Sequence, residues 1–127
     1  MRLIRTAEQD ELGLSVRAFL ARTSPMSRVR AVAESAAESY DRKVWDRMTG
    51  ELGLAGLAVP EEYGGAGFGR GEVAVVLEEL GAALTPSPYL GSVLAAELLL
   101  QLGDRAAAAE LLPGIAAGTT VATLQLP

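Results

Sequence analysis

The sequence predicts an all-α domain, and three observations carry that prediction. Apolar residues recur at helical spacing through six successive segments, capping residues, glycines and prolines separate those segments, and helical periodicity is lost only after Thr119.

Thr6 followed by Gln9 has the spacing of a capping box, and Leu12, Val16, Phe19 and Leu20 then mark one face of a first helix over 7–22. Ser24 and Pro25 read as a cap and a first-turn proline for a second helix over 25–39, with Val29, Val32 and Ala36 inward. Asp41 caps a third, in which Val44, Met48 and Leu52 are spaced by four, Trp45 flanks the stripe and Gly53 stops it. Gly50 inside that helix costs about 1 kcal/mol relative to alanine, which suggests close approach of another backbone. Residues 54–60 read as a short extended apolar run and 63–69, rich in glycine, as loop.

From Arg70 the pattern is helical again, with Val73, Val76, Leu77, Leu80 and Leu84 on one side and Glu72, Glu78 and Glu79 facing solvent. Thr85 to Pro88 interrupts it. Residues 89–102 are apolar almost all round, the signature of a helix buried among others. Gly103 closes that helix, and Asp104 caps a sixth that should break at Pro113. Residues 119–126 are β-branched and read as a strand. A strand needs a partner sheet, and none is encoded upstream, so the expected division is a helical domain over 1–118 and, over 119–127, the first strand of a β domain that lies beyond this sequence.

The composition excludes much chemistry. Half of the 127 residues are hydrophobic and 21% are charged, enough for one core and too apolar for a disordered chain. A net charge of −5 with scattered basic residues argues against nucleic acid as a partner. With no cysteine and no histidine, disulfides, thiolate nucleophiles, Ser-His pairs and zinc sites built on sulfur or imidazole are all removed. Glu8, Asp10 and Glu11 occupy the stretch where a secretory signal would be apolar, and the longest apolar run, 93–102, is interrupted by Glu97 and Gln101. A soluble, cytoplasmic protein without a membrane span is the expectation.

The run over 46–69, DRMTGELGLAGLAVPEEYGGAGFG, followed by VLEELG over 76–81, resembles the N-terminal domain of the acyl-CoA dehydrogenase family. The resemblance implies a six-helix domain followed by a middle β domain and a C-terminal helical bundle, with FAD held mainly between the latter two. It implies dehydrogenation of an acyl-CoA thioester, of a fatty acid or a steroid side chain. A glutamate base from the missing bundle would act there, so no catalytic residue is expected in this chain. It also implies an electron-transfer flavoprotein as electron acceptor and a homotetramer or heterotetramer.

By the same resemblance the acyl tail lies where the fifth helix begins, with Tyr89, Leu90, Ser92 and Val93 as the expected liners. The connection between Leu80 and Gly103 is shorter than in straight-chain fatty acyl enzymes, which leaves room for a bulkier or branched acyl group. Family members carry a Thr-Glu-Pro signature near the flavin. Here Gln125, Leu126 and Pro127 stand in its place, so Leu124 and Gln125 are the positions implied to approach the ring edge, while the lost Thr and Glu put ordinary flavin binding in question. A non-catalytic partner subunit or a helical interaction module is the alternative.

Blander readings compete at several positions. The glycines from 64 to 71 fit neither G-x-G-x-x-G nor a P-loop and are better read as a structural turn. Glu61 with Glu62 and Glu78 with Glu79 are adjacent in sequence, so on a helix they diverge and suit a solvated face better than paired acid and base. Trp45 is better explained by the core or a domain contact, and Tyr63 by the architecture of the turn.

Overall fold

The computed structural model describes residues 3–127, which form six α-helices and two 3-10 turns. Helix α1 (Ala7–Thr23) starts at a complete capping box: Thr6 Oγ1 accepts from the Gln9 amide at 3.2 Å, and Gln9 Oε1 accepts from the Thr6 amide at 3.1 Å. Helix α2 (Met26–Glu34) is shorter than the spacing suggests. Ser24 does not cap it; it closes α1, with its hydroxyl 3.2 Å from that of Thr85. Ser35 ends α2 by accepting from the amides of Ala37 and Glu38, and with Ala36 exposed nothing apolar beyond Val32 recovers helical packing.

Helix α3 (Arg42–Gly50) is capped by Asp41, whose carboxylate accepts from the Lys43 and Val44 amides while also pairing with Arg28 of α2. The close neighbour anticipated at Gly50 is absent, since a Cβ there would meet nothing within 4 Å. Gly50 is the last helical residue, where its flexibility costs least. The apolar run that follows is not extended. It coils into a 3-10 turn (Leu54–Gly56) that buries Leu54, Ala55, Leu57 and Val59, and a second one (Glu61–Tyr63) follows Pro60. The glycine segment folds back on these turns: Ala66 donates to Gly56 O, Phe68 to Leu57 O and Gly67 to Val59 O. A Cβ on Gly65 would stand 1.9 Å from the Val59 carbonyl oxygen, so only glycine fits.

Helix α4 (Arg70–Ala82) packs along α1. It ends in a Schellman arrangement, with Thr85 N donating to Leu80 O and Leu84 N to Gly81 O. This puts Leu84 at φ 54° with its side chain 63% exposed, whereas helical spacing had placed it inward. Glu79 also departs from expectation, being buried and held by Arg17 through two hydrogen bonds of 3.0 and 2.8 Å.

Helix α5 (Tyr89–Leu102) buries Tyr89, Ser92, Ala95 and Ala96 and leaves Leu90, Leu94, Leu98 and Leu102 exposed, so it is half covered and not buried all round. Helix α6 (Arg105–Ala117), capped by Asp104, runs straight through Pro113. Proline removes one ladder hydrogen bond, but Leu112, Ile115 and Ala116 are all buried, and that packing holds the last turn in place. The strand expected over 119–127 does not form among the described residues. Those residues offer no second strand to complete a ladder, and the segment is irregular, tied by Thr120 N to Gly114 O and by the Ser92 hydroxyl to Ala122 O.

Two core clusters result. The larger gathers Val16, Phe19 and Leu20 of α1, Trp45 and Met48 of α3, Val76 and Leu80 of α4, and Tyr89. The smaller joins Val59 to Ala96 of α5 and to Leu112 and Ile115 of α6. Trp45 links the two regions, its indole N–H donating to Gly118 O at 3.0 Å.

Candidate functional site

An apolar groove of about 230 Å³ opens where α4 and α5 diverge above the first 3-10 turn. Helix α4 contributes Arg70, Val73 and Leu77, spaced by three and four; α5 contributes Leu90, Val93, Leu94 and Glu97, spaced by three, one and three. These periods bring the two stripes face to face, and Ala55, Ala58 and Val59 form the floor. The volume is below the roughly 300–1,000 Å³ of a complete small-molecule site.

Only Arg70 and Glu97 break the apolar lining. They form an ion pair that joins α4 to α5, and Glu97 Oε1 also accepts from Gln101 at 2.8 Å. The Arg70 guanidinium, with help from the Gln101 amide, holds the Glu97 carboxyl below its ordinary range. A roomier cleft of about 640 Å³ lies between the start of α1 and α4; there Arg5 pairs with Glu78 and Gln9 with Glu72, while Arg70, which borders this cleft as well as the groove, pairs with Glu97.

The four liners proposed from the sequence separate into two pairs. Leu90 and Val93 line the groove. Tyr89 and Ser92 are wholly buried on the other side of α5: the Tyr89 hydroxyl donates to Leu54 O at 3.0 Å, and Ser92 donates to Ala122 O. Burial raises the Tyr89 pKa, so its phenol stays protonated and acts as a structural donor. Leu124 is half-buried and Gln125 exposed on the terminal segment, and neither lines the groove. One apolar side chain and one amide could touch an edge of a flavin ring, which fits a contact to FAD but does not amount to a flavin site within this chain.

Sequence reading missed Arg70, Leu94, Glu97 and the floor residues. A signal existed: Glu97 is the only charge in the apolar run of α5, and it shares a face with Leu90, Val93 and Leu94. The floor had no such signal, because 3-10 turns lack a readable period. Among the described residues no His, Cys, Asp and Glu cluster could hold a metal ion, and no helix is long and apolar enough to cross a membrane.

Six helices, a glycine turn folded back on two 3-10 turns, and an apolar groove between α4 and α5 define a small helical domain. A family model for the acyl-CoA dehydrogenase N-terminal domain matches residues 6–119, and the chain belongs to that family. It is 41% identical over 114 residues to the acyl-CoA dehydrogenase IpdE2 of Mycolicibacterium smegmatis, covering 90% of this chain and 36% of that protein. It is 41% identical over 75 residues to a (2S)-methylsuccinyl-CoA dehydrogenase of Cereibacter sphaeroides, covering 58% of this chain and 14% of that protein. Among solved structures, the ChsE4–ChsE5 complex of Mycobacterium tuberculosis matches with a TM-score of 0.84 at 28% identity, over 95% of this chain and 33% of the other. A variant of the Tcur3481–Tcur3483 steroid ACAD matches at 0.78 and 34% identity, over 90% and 31%. The chain thus spans about a third of the length of the first of these relatives.

Proposed function

We propose that this chain is the helical wall of an FAD-dependent acyl-CoA dehydrogenase, and that the α4–α5 groove receives the acyl tail of a fatty or steroid side-chain thioester. The observation that carries this is the groove itself: apolar, open on one side, and formed by a chain of that family. A bound FAD would supply the hydride acceptor. What this chain supplies is binding and water exclusion. Each methylene moved from water into the groove contributes about 0.8 kcal/mol, so the wall selects acyl size and holds the tail while groups outside this chain do the chemistry. Glu97, the one carboxylate of the groove, is a poor proton acceptor, since pairing with Arg70 lowers its pKa. A cytoplasmic enzyme that passes electrons to an electron-transfer flavoprotein completes the reading.

The test is steady-state turnover of the full-length protein, with FAD, on acyl-CoA thioesters of increasing size. Val93→Trp fills the groove. Displacing about three methylenes should lower kcat/KM roughly 50-fold for long or bulky acyl groups and leave short ones little changed. An equal effect on all chain lengths would remove the groove from the substrate path.

A second reading has support of its own. The signature position holds Gln125-Leu126-Pro127, and one of the solved relatives is a two-component complex, ChsE4–ChsE5. On that basis the subunit is a non-catalytic partner in a heterotetramer, as opposed to a homotetramer. Flavin content per subunit after co-purification distinguishes them: a colourless subunit that restores activity to a flavin-bearing partner favours the second.

A further inference from the structure

We infer that Arg70 is a specificity-determining residue for an acyl group whose distal part carries an oxygen acceptor, a carbonyl or a carboxylate; this rests on the groove being the acyl site. The argument begins with the lining. Around an otherwise aliphatic surface, the only polar groups are one guanidinium and one carboxylate, placed opposite each other on α4 and α5. For a plain alkyl tail such a pair is a handicap. Once a tail and the covering parts of the enzyme displace water from the groove, the pair loses hydration and the tail returns no hydrogen bond.

An oxygen on the tail changes that balance. Both donors that reach Glu97, from Arg70 and from Gln101, end on Oε1; the ionised carboxylate only accepts and has no hydrogen to offer a ligand oxygen, so any donor for the tail must come from Arg70. Arg70 can donate five hydrogen bonds, and among the described residues only its Nη2 is engaged, while the side chain remains 68% exposed. The guanidinium therefore has donors left to offer to a ligand oxygen, in the planar geometry suited to a carboxylate. Arg70 also stands in the first turn of α4, where the helix end adds to the attraction for negative charge.

A purely structural tie between helices makes a different prediction from a recognition role, and two substitutions separate them. The full-length protein, with its partner if it has one, is titrated with decanoyl-CoA and with its ω-carboxylated counterpart, and the ratio of dissociation constants is read. The wild type should favour the carboxylated thioester by about tenfold or more. Arg70→Met should bring the ratio to near one. Glu97→Gln frees the guanidinium and should raise the ratio above the wild-type value. Arg70 is largely exposed and Glu97 is not fully buried, so both variants should fold, with unfolding temperatures close to the wild type. If the two substitutions move the ratio the same way, or leave it unmoved while both thioesters bind, Arg70 is only a tie and the inference fails. If neither thioester binds, the groove is not the acyl site, and the underlying function falls with it.

Discussion

Gly65 sits where the chain doubles back on itself, and any side chain there would run into the Val59 carbonyl. Gly65→Ala must push backbone apart, an overpacking expected to cost about 2 kcal/mol in denaturant unfolding. Glu79 is the other residue whose environment dictates its behaviour. Arg17 lowers its folded-state pKa below the ordinary carboxylate range by hydrogen bonding and charge, so the stabilisation is present at neutral pH. It is lost as pH falls through the folded-state value, because the unfolded chain takes up the proton first. Unfolding free energies measured between pH 7 and pH 3 should therefore drop on acidification, and Glu79→Gln should flatten part of that drop. An unchanged acid slope would mean that the pair makes no net contribution, as happens for ion pairs with one solvent-exposed partner such as Arg17.

At the scale of elements, helix starts follow from short-range chemistry and helix ends do not. Thr6, Asp41 and Asp104 each satisfy orphan amides of the turn they precede, and each is recognisable from one or two residues. The end of α4 illustrates the contrast. Leu84 takes the left-handed position of a Schellman motif that glycine normally fills, held there by the bonds of Leu84 N and Thr85 N. Leu84→Gly relieves the backbone strain, loses little burial and gives up some unfolded-state restriction, for a net gain of about 0.5 kcal/mol. A lower unfolding temperature in that variant would show that the exposed leucine makes contacts of value. Pro113 carries the same lesson, since α6 continues past it to bury Ile115.

For the whole molecule, the four exposed leucines at 90, 94, 98 and 102 form a ridge one turn apart along α5, its first two lining the groove and its last two lying beyond it. A ridge of that kind on a chain studied alone favours association. Sedimentation should show concentration-dependent self-association of the 127-residue chain, reduced by Leu98→Glu with Leu102→Glu. The chain alone should also show no turnover, since the groove holds no free base; measurable dehydrogenation by it would contradict the division of labour proposed above.

The sequence by itself determined the all-helical class, the positions of the helix starts and the glycine turn, because each depends on neighbours within a few residues: a cap on its amides, a period of 3.6, a missing side chain. The family resemblance named Leu90 and Val93, which the structure places along the α4–α5 groove. Only tertiary structure decided that Tyr89 and Ser92 turn inward, that Glu79 is buried, that the terminal segment has no ladder to join, and that Arg70 meets Glu97 across the groove. These depend on which side of a helix another element covers. That choice is made by the packing of residues far apart in the chain, and an all-round apolar helix such as α5 has no pattern from which to read it.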